Sequence, residues 1–168
     1  MTQAGSTFVS NQKKELMEKK KVESFKVIGI SVRTTNENNQ GATDIGNLWN
    51  RFMAENIVSQ IPNKLENSVF AIYTNYESDY TKAYDTVLGC KVSSFDTIPD
   101  GMIGHIVEGG DFSKFISKGK LFDGIVHKSW LEIWNTDLDR TYKSDYEVYG
   151  EKAQNPDNAE VEIFVGVK

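Results

Sequence analysis

The chain has 168 residues, the size of one ordinary domain, and its 39% hydrophobic content suffices for a core that needs no metal or disulfide support. Nineteen basic against twenty-four acidic residues leave a formal charge of −5. That balance gives no overall attraction to phosphate backbones or anionic lipid, so direct contact with nucleic acid or membrane is not expected. The single cysteine, Cys90, excludes an intramolecular disulfide framework and points to the cytoplasm, and no run approaches the roughly 18 apolar residues that span a bilayer.

From the N-terminus, Met1 to Lys21 is polar and ends in Lys19-Lys20-Lys21, which reads as a flexible leader preceding one domain over 22–168. Val22 to Thr34 mixes β-branched and small residues and is expected to be a strand. After the polar break Thr35 to Gly41, Thr43 or Asp44 is placed to cap a helix. Its apolar stripe is Ile45, Leu48, Trp49, Phe52, Met53 and Ile57. Pro62 closes that segment, and Val69 to Tyr76 and Thr86 to Phe95 read as two strands.

Past the turn signal Pro99-Asp100-Gly101 the pattern starts again. Met102 to Gly109 reads as a strand broken by Gly109-Gly110-Asp111. A helix follows, with its apolar face on Leu121, Phe122, Ile125, Val126, Trp130, Ile133 and Trp134. Two strands, Tyr142 to Gly150 and Glu160 to Val167, complete the unit. Phe70-Ala71-Ile72-Tyr73 and Tyr146-Glu147-Val148-Tyr149 occupy corresponding places in the two units. The expectation is an α+β fold: duplicated strand-helix-strand-strand units over 22–97 and 98–168, with pseudo-twofold symmetry, an antiparallel sheet and two main helices. A ligand cleft belongs between the halves.

Glu147 is the outstanding candidate. Strand alternation puts Asp145, Glu147 and Tyr149 on one face and Tyr146 and Val148 on the other. A carboxylate in a dry aromatic pocket is costly when alone, and a bound cation offsets that cost while rings add cation–π attraction. The bland alternative is a wet strand face on which Asp145 and Glu147 are simply solvated. Tyr73, the counterpart of Tyr149, joins the candidate ligand-binding set, as do Trp49, Phe52, Trp130 and Trp134 from the helices and Glu108 from the strand opening the second half. The helix aromatics serve equally well as plain core. His105 and His127 lack ligand spacing, Gly109-Gly110 lacks a phosphate-binding lysine, and no serine sits in a nucleophile elbow. No metal, cofactor or catalytic residue is therefore assigned.

Several motifs together resemble the GyrI-like, AraC-type effector-binding domain. They are Leu48-Trp49-Asn50-Arg51-Phe52, Tyr73-Thr74-Asn75-Tyr76, Leu88-Gly89-Cys90-Lys91-Val92, Ile98-Pro99-Asp100-Gly101, Gly109-Gly110-Asp111-Phe112, Trp130-Leu131-Glu132-Ile133-Trp134 and Asp145-Tyr146-Glu147-Val148-Tyr149. The chain is most similar in form to the integron-cassette cationic drug-binding branch. The ending Phe164-Val165-Gly166-Val167 departs from the family's proline-containing one. The resemblance implies a multidrug-type receptor for lipophilic cations with an acidic residue in its cleft, a role whose motif Glu147 matches. It also implies a possible DNA-binding protein as partner, since the leader is too short to supply a helix-turn-helix. Two other functions stay open: a hydrolase of strained electrophilic natural products, and a protein-interaction or inhibitor module.

Overall fold

The computed structural model describes residues 18–168. Its fold is α+β. Eight strands form one antiparallel sheet: β1 (Glu18–Val22), β2 (Phe25–Thr34), β3 (Val69–Thr74), β4 (Tyr84–Val92), β5 (Ile103–Val107), β6 (Gly110–Gly119), β7 (Arg140–Tyr149) and β8 (Ala159–Val167). Two main helices, α1 (Gln40–Ala54) and α3 (Ile125–Trp134), cover one face, with the single turn α2 (Ile57–Gln60) after α1. Most of the expected leader, residues 1–17, lies outside the described residues; its end, Glu18 to Lys21, is an edge strand rather than a loose segment.

The strand order β1-β6-β8-β7-β3-β4-β2-β5 is its own mirror image when each strand of one unit is exchanged for its counterpart in the other. A pseudo-twofold axis therefore passes between the central strands β3 and β7, where Ala71 lies opposite Glu147. At the outer ends the two units interlock. Glu18–Val22 pairs with Lys114–Gly110, and Phe25–Gly29 pairs with Val107–Ile103, in one unbroken register. Thus β1 with β2, and β5 with β6, behave as two long kinked strands that cross where Val22–Phe25 meets Val107–Gly110. Gly109 sits at that crossing, where a Cβ would come within 2.6 Å of the Val22 carbonyl oxygen.

The same two kinked strands supply both ends of the sheet, so the sheet curls. Phe25 on β2 and Tyr146 on β7 are three strand positions apart, about 14 Å on a flat sheet. Their rings nonetheless lie 5.2 Å apart. This wrapping buries Phe25, Phe70, Ile72, Val87, Phe112 and Tyr146 on the face that no helix covers. On the other face α1 seals a core through Leu48 and Phe52, and α3 seals a second one through Trp130 and Ile133.

Three further expectations need correction. The helix starts at Gln40, after the left-handed residues Asn38 and Asn39, so Thr43 and Asp44 are interior; the Asp44 carboxylate instead accepts from Thr34 Oγ1 at 2.8 Å. Met53 and Phe122, both assigned to apolar stripes, are exposed, Phe122 because α3 begins only after Gly124. The Gly109-Gly110-Asp111 break is a kink, and β6 follows it. That strand escapes a period-two search because Lys114 and Lys118 share a face with Phe112, while Ser113 and Ser117 share the other with Phe115.

Gly29 and Gly89 face each other across β2 and β4, and a Cβ on either would meet the partner backbone, the Leu88 or the Ile28 carbonyl oxygen. Gly89→Ala is expected to lower folding stability by about 1–3 kcal/mol, read from urea unfolding; an unchanged midpoint would show that the two strands can separate without cost.

Candidate functional site

Glu147 projects from β7 toward the helix-covered side, beside the pseudo-twofold axis. Its residue is 1% exposed, and Asp145 on the same strand face is 0% exposed, so the wet-face alternative does not apply. Duplication places a tyrosine on each side of the axis. Tyr149, two residues on, donates to Glu147 Oε1 at 2.6 Å, and Tyr73 on β3 donates to Oε2 at 2.8 Å. Trp130, carried over the sheet by α3, gives its indole N–H to the same Oε2 at 2.7 Å.

Three donors hold the carboxylate, but among the described residues no cationic side chain is bonded to it. Burial is the largest influence and raises its pKa above the ordinary carboxylate range, while the bonds from Tyr149, Trp130 and Tyr73 pull in the opposite direction. The phenols respond in kind. Burial and the neighbouring Glu147 charge push Tyr73 and Tyr149 well above the usual tyrosine range, and Tyr84 up to about 12. All three therefore remain neutral donors at physiological pH.

Beside Glu147 lies a cavity of about 460 Å³, walled mainly by rings and lying between α1 and α3. Of the sequence candidates, Glu147, Tyr149, Tyr73, Trp49, Trp130 and Trp134 line it. The rings brace one another: Trp49 meets Tyr149 edge-on at 4.9 Å and Trp130 meets Tyr73 at 5.6 Å. Phe52 is not on the wall; it points into the α1 core at 1% exposure, packed where the apolar stripe meets the sheet. Glu108 is also elsewhere. It lies exposed at the strand crossing, 3.5 Å from Lys143, because it falls in the kink between β5 and β6 and not on a strand beside the cavity. Glu132 is exposed on α3.

Sequence reasoning missed Tyr76, Tyr80, Tyr84, His127 and Arg140, all on the cavity wall. Tyr76 and Tyr80 come from the loop after β3, where polar composition conceals them; the Tyr73-x-x-Tyr76-x-x-x-Tyr80 spacing was the available signal. Tyr80 stacks on Trp134 at 5.0 Å with planes 8° apart, so a first-half loop is clasped to a second-half helix over the cavity. Arg140 pairs with buried Asp145 at 2.7 Å. Asp145 also accepts from Tyr76 Oη and the Gly166 amide. No cluster of metal-ligating side chains occurs among the described residues.

Residues 19–167 match the family model for integron-associated effector binding proteins. Among individual proteins, the chain is 29% identical over 147 residues to the putative transcriptional regulator protein YobU of Bacillus subtilis (strain 168), covering 83% of this chain and 90% of that one. An integron cassette protein from the mobile metagenome of Vibrio cholerae is similar in structure, with TM-score 0.71, 33% identity, and coverage of 90% of this chain and 95% of that one. The structure of SAV2435 bound to tetraphenylphosphonium shares the fold at TM-score 0.75 and 14% identity, over 90% of this chain and 93% of the other. Among the described residues no helix is long and apolar enough to cross a membrane.

Because Tyr149 contributes the largest of the three stabilising bonds to the carboxylate, Tyr149→Phe should drive the Glu147 pKa further upward. Carbon-detected NMR titration of labelled glutamate reads this directly; an unmoved or lowered value would mean that the hydrogen bond does not hold the charge.

Proposed function

The chain belongs to the integron-associated effector-binding protein family, and we propose that within it this protein captures lipophilic cations, with Glu147 as the counter-charge. The single observation that carries the reading is a carboxylate at 1% exposure, bonded by three neutral donors and opening on an aromatic cavity of about 460 Å³. An ionised group there lacks bulk water, and the ring faces of Trp49, Tyr73, Tyr149 and Trp130 cannot neutralise it. A greasy cation does so, and its apolar surface fills the remaining volume.

Selectivity follows from the same arrangement. A strongly hydrated ammonium ion gives up too much water to enter a ring-walled site, whereas a cation with its charge spread over aromatic or alkyl groups gives up little. The tetraphenylphosphonium bound by SAV2435 is a molecule of that kind, which supports the reading by analogy of fold. The similarity to the putative regulator YobU supports a role as the sensing part of a transcriptional regulator.

Titration with tetraphenylphosphonium by calorimetry tests the proposal. Glu147→Gln keeps the size of the side chain and removes its charge, and is expected to weaken binding by about 1–3 kcal/mol; equal affinity for both proteins would remove the carboxylate from recognition.

The pH dependence has a definite sign. A folded-state pKa raised by burial means that ionised Glu147 destabilises the free protein as pH rises through that value, and that a bound cation restores the lost stability. Affinity for tetraphenylphosphonium should therefore fall as pH drops through the raised pKa of the free protein, while Glu147→Gln shows no such slope. Thermal melting with and without the cation, from neutral to mildly acidic pH, follows both; a wild-type shift independent of pH contradicts the assignment.

A further inference from the structure

We propose that the same cavity holds a second anchor, the guanidinium of Arg140, so that the preferred ligands carry a hydrogen-bond-accepting oxygen as well as a positive charge. The proposal rests on the cation reading above and refines the ligand class. Arg140 is 8% exposed and sits on the cavity wall. Its Nη2 donates to Asp145 Oδ2 at 2.7 Å, but Nε and Nη1, both buried, have no hydrogen-bond partner among the described residues. An arginine needed only to neutralise Asp145 would be satisfied elsewhere too, because buried guanidinium N–H groups are costly when unpaired.

Rings surround the group without accepting those bonds. Tyr142, which is off the cavity wall, backs the guanidinium at 4.3 Å, while Trp130 and Tyr80, on the wall, stand at 5.9 and 6.0 Å. Tyr142 adopts φ +54°, a left-handed conformation unfavourable for a bulky residue, inside the irregular stretch of β7 between Arg140 and Asp145. That stretch turns Arg140 back onto Asp145. Strain of this kind persists where surrounding structure enforces it, and clusters at ligand sites.

Trp130 connects the two anchors: its indole N–H bonds Glu147, and its ring faces Arg140. A molecule lying along this indole meets a carboxylate at one end and unspent donors at the other. Asp145 cancels the charge of Arg140, so the guanidinium offers hydrogen bonds without repelling a cation held at Glu147. Nε and Nη1 are closed over in the free protein, and a ligand oxygen reaches them when the rings around the guanidinium give way.

The test compares two triphenylphosphonium cations of the same shape, one with an acetyl group on a fourth phenyl ring and one with an isopropenyl group there, each as para and meta isomers. Wild type is expected to bind the better acetyl isomer about tenfold or more tightly than its isopropenyl twin. Arg140→Lys keeps a charge beside Asp145 but replaces the planar Nε–H and Nη1–H donors with one compact ammonium drawn to Asp145, and should bring the ratio to about one. If thermal melting shows Arg140→Lys unfolded, Arg140→Met combined with Asp145→Asn removes the pair together and replaces it. A ratio of one for both isomers in wild type, or a ratio retained without the guanidinium, overturns the proposal while leaving the cation reading intact. Failure of every cation to bind wild type overturns both.

Discussion

The carboxylate of Glu147 constrains everything around it. It lies inside the protein next to the symmetry axis, where a charge must be met by donors from the chain or by a partner from outside. The chain supplies donors from β3, β7 and α3, so one interaction ties together both units and the helix above them. Among the described residues none supplies a bonded cation. This imbalance, a charge solvated by neutral groups but not neutralised, gives the cavity its chemical character.

Gene-duplication architecture explains why the arrangement is economical. The axis brings position 71 of one unit against position 147 of the other, and brings Tyr73 and Tyr149 to equivalent places on either side. Identical residues at the axis would have given two glutamates in contact, with strong repulsion between them. Alanine at 71 removes that conflict, and its small side chain leaves the remaining carboxylate within reach of both tyrosines. The departure from symmetry at one position thus turns a structural seam into a site, while the tyrosines keep the symmetric pattern.

Two acidic side chains two residues apart on β7 have opposite fates. Asp145 is compensated by Arg140, Tyr76 and a backbone amide, and it anchors the bulged start of the strand. Glu147 is left for a ligand. Between them Trp130 contributes an N–H to one and a ring face to the partner of the other, so positioning α3 positions both. The crossing of the two long kinked strands matters at a distance: by curling the sheet it buries the opposite face without helices, leaving both helices free to wall the cavity.

Local pattern was enough for much of this. Helical spacing in 45–57 and 125–134 reveals two amphipathic helices, because side-chain periodicity depends only on neighbours in the chain. The repeated tetrads expose the duplication and align Tyr73 with Tyr149, and alternation in Asp145-Tyr146-Glu147-Val148-Tyr149 assigns Glu147 and Tyr149 to one face. What alternation cannot decide is whether a face is wet. Burial of Glu147, exclusion of Phe52 and Glu108 from the cavity, the strand β6 with its lysines on a partly exposed face, and the arrival of Tyr80 and Arg140 at the wall all depend on which segments pack together across long stretches of sequence. Those outcomes are set by sheet order, by the crossing at Gly109 and by loop closure, and none of these has a period that a single segment carries.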